Sequence, residues 1–140
     1  GNLGQTLVEP MLRSGELLEL CRTVIRPFYR EKLDQARGWI GEAFGERFPY
    51  RVHRSEGAFF LWLWFEGLPI TTRELYERLK ARHMIVVPGE YFIYGLSEPW
   101  RHGDECLRLS IAQPEQIVRD GIQVLGEEVA RAYDSGQVPA

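Results

Sequence analysis

Cys106-Leu107-Arg108-Leu109-Ser110-Ile111-Ala112 is the stretch on which the fold turns. Leu107, Leu109 and Ile111 alternate with Arg108 and Ser110, the two-residue period of a half-buried β-strand. One face of such a strand goes to a core, and the other carries an arginine. An arginine among apolar neighbours is costly unless something meets its charge. Its flat guanidinium fork matches a carboxylate or a phosphate better than a lysine ammonium does. The segment leaves two readings open. Arg108 receives an anion, or it points to solvent from the polar face of an edge strand.

Upstream, Ser14 is placed to cap a helix with Glu16 in its first turn. The apolar positions Leu17, Cys21, Val24, Phe28, Ala36, Ile40 and Ala43 then follow a helical period to about Phe44. That is roughly 30 residues, or about 45 Å of helix. Pro27 lies inside it and should kink or divide it. A kinked helix of this length commonly bridges two bodies, which implies that part of a larger molecule lies elsewhere. Gly45 is placed to end the helix.

Tyr50 to Arg54 reads as a short strand and Ser55-Glu56-Gly57 as a turn. Ala58-Phe59-Phe60-Leu61-Trp62-Leu63-Trp64-Phe65 is apolar on both faces. Such a strand lies centrally in a sheet, or has one face against something the chain does not supply. Thr71 and Glu74 have the spacing of a capping box for a helix to about Arg82, with Leu75 and Leu79 on one face. Met84 to Val87 reads as a strand stopped by Pro88-Gly89.

Glu90 to Glu105 reads as a long loop holding Tyr91, Phe92, Tyr94 and Trp100. Such loops line sites or interfaces, or are surface loops pinned by their own aromatics. Pro114 opens a last helix whose apolar face is Ile117, Leu125 and Val129. The order helix, strand, strand, helix, strand, strand, helix predicts an α/β class fold: a small α/β sandwich with a mixed sheet of about four strands covered by helices, preceded by the long kinked helix.

The 140 residues are the size of one domain, and 44% hydrophobic with 26% charged residues is ordinary for a globular protein. A net charge of -3 gives no reason to expect nucleic acid or an anionic membrane as partner. No apolar run reaches the roughly 18 residues of a membrane span. No signal-peptide pattern is visible, and the two distant cysteines form no CxxC, so a reduced, cytoplasmic protein is expected. The opening Gly1-Asn2-Leu3-Gly4-Gln5 lacks an initiator methionine, as a processed protein or a fragment would.

His53, His83 and His102 share no metal-binding spacing with each other or with the cysteines, so no metal site is expected. Cys21 falls on a helix face and Cys106 opens a strand, positions for packing more than for nucleophiles. Glu16, Glu19, Glu127 and Glu128 lie on helix faces, where solvation explains them. Of 17 lysines and arginines only Lys32 and Lys80 are lysines. Both read as lying on polar helix faces, and neither reads as sitting in the apolar pocket that would make a nucleophile. By itself the chain looks incapable of covalent catalysis.

Glu56-Gly57-Ala58-Phe59-Phe60-Leu61-Trp62, then Ile85-Val86-Val87-Pro88-Gly89-Glu90-Tyr91-Phe92, then Leu107 to Ala112 and a helix, resemble the C-terminal small domain of class I/II aminotransferases. These are pyridoxal-phosphate (PLP) enzymes of fold type I. Val24-Ile25-Arg26-Pro27-Phe28-Tyr29, Trp62-Leu63-Trp64-Phe65, Leu68-Pro69-Ile70-Thr71-Thr72 and Leu79-Lys80-Ala81-Arg82 resemble the valine–pyruvate subfamily in particular. The order and spacing of these stretches carry the resemblance, which covers nearly the whole chain.

The resemblance implies that Arg108 grips the substrate α-carboxylate and that Phe59 lies near the substrate. It makes residues 1–45 an N-terminal segment and interdomain helix, and 46–140 the small domain. The family's cofactor lysine lies in a Ser-x-Ser-Lys-like stretch that nothing here matches, nor is its pyridine-pairing aspartate or phosphate loop present. PLP, catalytic residues and cofactor-binding residues are therefore expected in a large domain, and this fragment alone is expected to be inactive. The implied partners are amino-acid and 2-oxo-acid substrates, that large domain, and a second copy in a homodimer. The competing reading is a free-standing ferredoxin-like α/β module that holds a small carboxylate at Arg108.

Overall fold

In the computed structural model, which describes residues 3–136, the chain begins with helix α1 (Leu3–Ser14). Gly15, at φ 81°, separates it from α2 (Glu16–Leu20). A left-handed residue at this point favours glycine, so the chain turns here at little cost. The expected cap survives in reduced form: the Glu16 amide donates to Ser14 Oγ at 3.4 Å, but Gly15 takes the capping position.

The helix then runs on through a π-helical turn (Cys21–Ile25) into α3 (Arg26–Phe44). Pro27 is expected to kink or divide it, and the α-helical ladder is interrupted there: the turn before the proline widens. Proline lacks an N–H and its ring crowds the carbonyl four residues back, at Thr23, and a π-turn relieves both problems. Thr23 Oγ1 donates to the Glu19 carbonyl at 2.7 Å, a second local distortion of the ladder. Gly45 ends α3 with φ 54°, its amide donating to Gly41.

The two halves of this helix behave differently. Nothing in α1, α2 or the π-turn is buried, and Leu7, Leu12, Leu18, Val24 and Phe28 are exposed. From Leu33 onward, Leu33, Ala36, Ile40, Ala43 and Phe44 enter the core.

Four strands, β1 (Arg51–Val52), β2 (Phe60–Trp64), β3 (Val87–Pro88) and β4 (Cys106–Ser110), form one sheet in the order β1-β2-β4-β3. The number of strands and the helical cover match the sequence reading. Every pairing is antiparallel, where that reading expected a mixed sheet. The reason lies in the connection. Helix α4 (Thr72–Ala81) carries the chain from β2 to β3 in the same direction, but β4 inserts between them and runs opposite to both.

β4 is thus an inner strand, not the edge strand of the solvent-facing reading. β3 is shorter than expected, and Pro88 lies within it. An edge strand tolerates a residue with no N–H to donate.

Leu61, Leu63, Leu107 and Leu109 bury one sheet face against α3, α4 and α6 (Glu115–Gly136). On α6 the buried set includes Val118, Ile122, Leu125, Val129 and Ala132. Ile117, expected on that face, is 58% exposed, one step off the buried stripe. The Thr71 hydroxyl caps α4 by accepting from the Glu74 amide at 3.2 Å. The reciprocal half of the box does not form, because the Glu74 carboxylate accepts from Arg78 at 2.7 Å instead. The expected loop after β3 contains two short helices, a 3-10 turn (Gly89–Phe92) and α5 (Arg101–Glu105).

Candidate functional site

The sheet face away from the helices carries Phe60, Trp62 and Trp64 of β2 beside Arg108 of β4. Trp62 stands directly opposite Arg108, Phe60 opposite Ser110, and Trp64 opposite Cys106. Cross-strand pairing and the period of two put these side chains on one face. The 3-10 turn after β3 brings Phe92 over it. Arg108 Cζ lies over the Phe60 ring at 4.2 Å and over the Phe92 ring at 4.8 Å. Phe92 in turn meets Trp62 edge-on at 5.3 Å.

No described residue offers Arg108 a hydrogen bond or a carboxylate. Its positive charge is met by two ring faces, which attract a cation electrostatically. That is how the strand tolerates a half-buried arginine with no protein anion. A phenyl ring offers the guanidinium no carboxylate or carbonyl oxygen, so the five N–H donors of the fork stay available to a planar anion.

Gly89 makes this arrangement possible. A Cβ there would lie 2.7 Å from the carbonyl oxygens of Gly103 and Cys106 and 2.8 Å from Cys106 Cβ. Only glycine lets the turn press so close against β4, and that approach carries Phe92 to Arg108.

Phe59 is not in contact with Arg108. Its ring packs on Phe60 at 4.4 Å and near Tyr29 at 5.5 Å, one ring removed from the guanidinium. It borders a cleft of about 650 Å³ between the π-turn and α3 on one side and Ser55–Phe59 on the other. Ala58, before it, is held at φ 61°, a conformation unusual for a residue with a side chain. The structure therefore links the two sequence-derived site residues through Phe60. Sequence reasoning placed Phe92 in an aromatic loop that could line a site and Phe60 in the apolar strand, but joined neither to Arg108. The period of two places Phe60 on the Trp62 face, but only the β2–β4 register brings it to Arg108.

The other candidates fall away from this face or are tied up. Lys32 Nζ donates to the Gln113 carbonyl at 2.7 Å, and Lys80 lies on α4 near Glu77. The Cys106 thiol is pushed up to about 11, by burial above all, against a smaller opposing effect of its hydrogen bond with Trp62. It is a protonated core group beside His102, 3.3 Å away. Among the described residues no cluster of three His, Cys, Asp or Glu side chains could hold a metal ion. No described helix is long and apolar enough to cross a membrane.

No protein-family model matches the chain. Valine–pyruvate aminotransferase of Escherichia coli K12 is 40% identical over 133 residues, which are 95% of this chain and 32% of that enzyme. The crystal structure of valine–pyruvate aminotransferase from Salmonella typhimurium LT2 superposes with a TM-score of 0.87 at 41% identity, over 96% of this chain and 34% of that one. The chain is homologous to a fragment of the valine–pyruvate aminotransferases.

Two further aminotransferases share the fold. A putative amino-acid aminotransferase from Psychrobacter arcticum 273-4 gives a TM-score of 0.88 at 42% identity, over 95% of this chain and 30% of that one. The α-aminoadipate aminotransferase of Thermus thermophilus, solved with N-(5'-phosphopyridoxyl)-L-leucine, gives 0.73 at 26% identity, over 94% of this chain and 31% of that one. The matched architecture is that of the aminotransferase C-terminal domain. The chain spans about a third of the length of these aminotransferases.

Proposed function

We propose that this chain is the small-domain portion of a PLP-dependent aminotransferase of the valine–pyruvate type, and that Arg108 binds the α-carboxylate of the amino-acid and 2-oxo-acid substrates. One observation carries this reading. The Arg108 guanidinium lies on an open aromatic sheet face with its fork unclaimed by any described residue.

Two parallel hydrogen bonds from the fork hold both carboxylate oxygens and fix the plane of the carboxylate. That fixes the substrate Cα, and with it the direction of the Cα–H bond that must lose its proton. The surrounding rings exclude water and strengthen the charge-assisted pair. Phe59 and the cleft beside it accept an apolar side chain such as valine's. PLP, when bound, supplies the electron sink for breaking the Cα–H bond. Neither lysine lies at the Arg108 face, so in this reading the lysine that attaches PLP belongs to the portion of the enzyme beyond this chain.

In this reading residues 1–45 form the N-terminal segment and connecting helix, and 46–140 the small domain. The exposed apolar residues of α1 to α3 are then covered by the large domain or by a second subunit of a homodimer. Two free cysteines fit a cytoplasmic enzyme. Homology to a longer enzyme favours this reading over a free-standing carboxylate-binding module.

The test is turnover by the full-length enzyme. Arg108→Ala should lower kcat/KM for valine about a hundredfold or more, since truncating one partner of a buried pair costs about 3–5 kcal/mol. Arg108→Lys should recover only part, because an ammonium lacks the fork. An amine of similar shape without a carboxylate should be nearly indifferent to either change. Equal losses for both substrates, or no loss for either, would make Arg108 a structural residue.

A further inference from the structure

We propose that Phe60 and Phe92 are positioning residues for Arg108: their rings hold the guanidinium by close contact from two elements and so set the direction in which its fork meets a carboxylate. This rests on the reading of Arg108 given above and deepens it.

An arginine at the end of a long, flexible side chain needs something to fix it before substrate arrives. A protein carboxylate would fix it but would also occupy the fork. Aromatic rings of phenylalanine carry no oxygen or nitrogen acceptor, so they hold the group without claiming its N–H donors as a carboxylate would. Arg108 Cζ is 4.2 Å from the Phe60 centroid and 4.8 Å from that of Phe92.

Both rings are themselves held. Phe60 belongs to the inner strand β2 and packs on Phe59 at 4.4 Å. Phe92 packs edge-on against Trp62 at 5.3 Å, and its turn is set against β4 by the close approach at Gly89. The guanidinium is thus bounded by groups from β2 and from the turn after β3, and neither is free to follow it. Such preorganisation is what a tight carboxylate site requires, since a group already held in place loses less freedom on binding.

The experiment uses the full-length, cofactor-loaded enzyme with Phe92→Leu, Phe60→Leu, Phe92→Tyr, Arg108→Ala and the double variant Arg108→Ala/Phe92→Leu. Substrates are valine and isobutylamine, which lacks the carboxylate. Each Leu variant should lower kcat/KM for valine about three- to tenfold, the scale of one partly exposed cation–ring contact, while the amine changes by no more than about twofold. Phe92→Tyr, which keeps a ring, should stay near wild type. In the Arg108→Ala background Phe92→Leu should cost nothing further.

The proposal is overturned if the Leu variants match wild type with valine. It is also overturned if they lose valine and amine turnover alike, or if Phe92→Leu costs as much without Arg108 as with it. Failure of the underlying reading looks different: Arg108→Ala then impairs both substrates equally, and the positioning role falls with it. Phe92 is 40% exposed on a surface turn, so its Leu variant carries the test even where Phe60→Leu unfolds.

Discussion

Trp64 and Glu105 are joined across the sheet, the indole Nε1 donating to Glu105 Oε2 at 2.9 Å. The same carboxylate accepts from the Gly67 amide at 3.1 Å and pairs with Arg101 at 2.7 Å. One nearly buried anion thereby ties the end of β2, the turn after it and the helix leading into β4. It holds the strand that carries Phe60 and Trp62 at a fixed position relative to the strand that carries Arg108.

Glu105→Ala removes the acceptor for an indole N–H and a backbone N–H at once. Both donors are only part-buried, so water replaces part of what is lost; at about 0.5–1.5 kcal/mol for each bond the loss should be about 1–3 kcal/mol. Glu105→Gln keeps an acceptor and should lose about half as much. Urea denaturation of the two variants checks the order, and a Glu105→Ala variant as stable as wild type would refute it.

Gly89→Ala should be more damaging than a surface glycine change, because its Cβ would strike the backbone of Gly103 and Cys106. The turn must back away from β4 and take Phe92 with it. Stability should fall by about 1–3 kcal/mol, the usual cost of forcing a methyl into packed structure. In the full-length enzyme the same variant should weaken turnover of amino acids more than of amines. Circular dichroism melts and the paired kinetics read the two effects separately.

Acid should destabilise the contact between α4 and α6. Arg82 Nη2 lies 2.7 Å from Glu127 Oε2, and Arg82 Nη1 lies 2.9 Å from Glu128 Oε1. The hydrogen bond from Arg82 holds the Glu127 carboxyl below its ordinary range, with a smaller contribution from Gln123. A group whose folded-state value is depressed stabilises the fold above the unfolded value and loses that contribution as pH falls through the folded one. Stability should therefore stay level down to about pH 4.3, the ordinary glutamate value, and drop below it. Glu127→Gln should flatten part of that drop. Denaturation midpoints at pH 7 and pH 3 give the comparison.

Much of this architecture was legible because it is local. The alternation of Leu107, Leu109 and Ile111 foretold β4, Gly45 ends α3, and the Thr71 hydroxyl caps α4 as its spacing required. What was not legible depends on partners distant in sequence. The two readings of Arg108, an anion or solvent, both overlooked ring faces, because nothing local brings Phe60 or Phe92 near residue 108. Only the β2–β4 register and the turn after β3 do so.

The same holds for strand direction. Antiparallel pairing throughout follows from β4 entering between β2 and β3, which is a matter of topology and not of period. Pro27 was correctly recognised as a disturbance, but its remedy, a widened turn at Cys21–Ile25, also draws on Thr23. The resemblance named Arg108 and Phe59 as neighbours of the substrate. The geometry adds that a third residue, Phe60, stands between them.

The central claim is that Arg108 holds a substrate carboxylate, and binding of a carboxylate alone tests it most directly. The measurement is the affinity of the full-length, cofactor-loaded enzyme for 3-methylbutanoate, valine without its amino group, by calorimetric titration of wild type and Arg108→Ala. Truncating one partner of a hydrogen-bonded, buried charge pair costs about 2–5 kcal/mol, so Arg108→Ala should bind at least about thirtyfold more weakly, with Arg108→Lys in between. Equal affinity in wild type and Arg108→Ala would contradict the account.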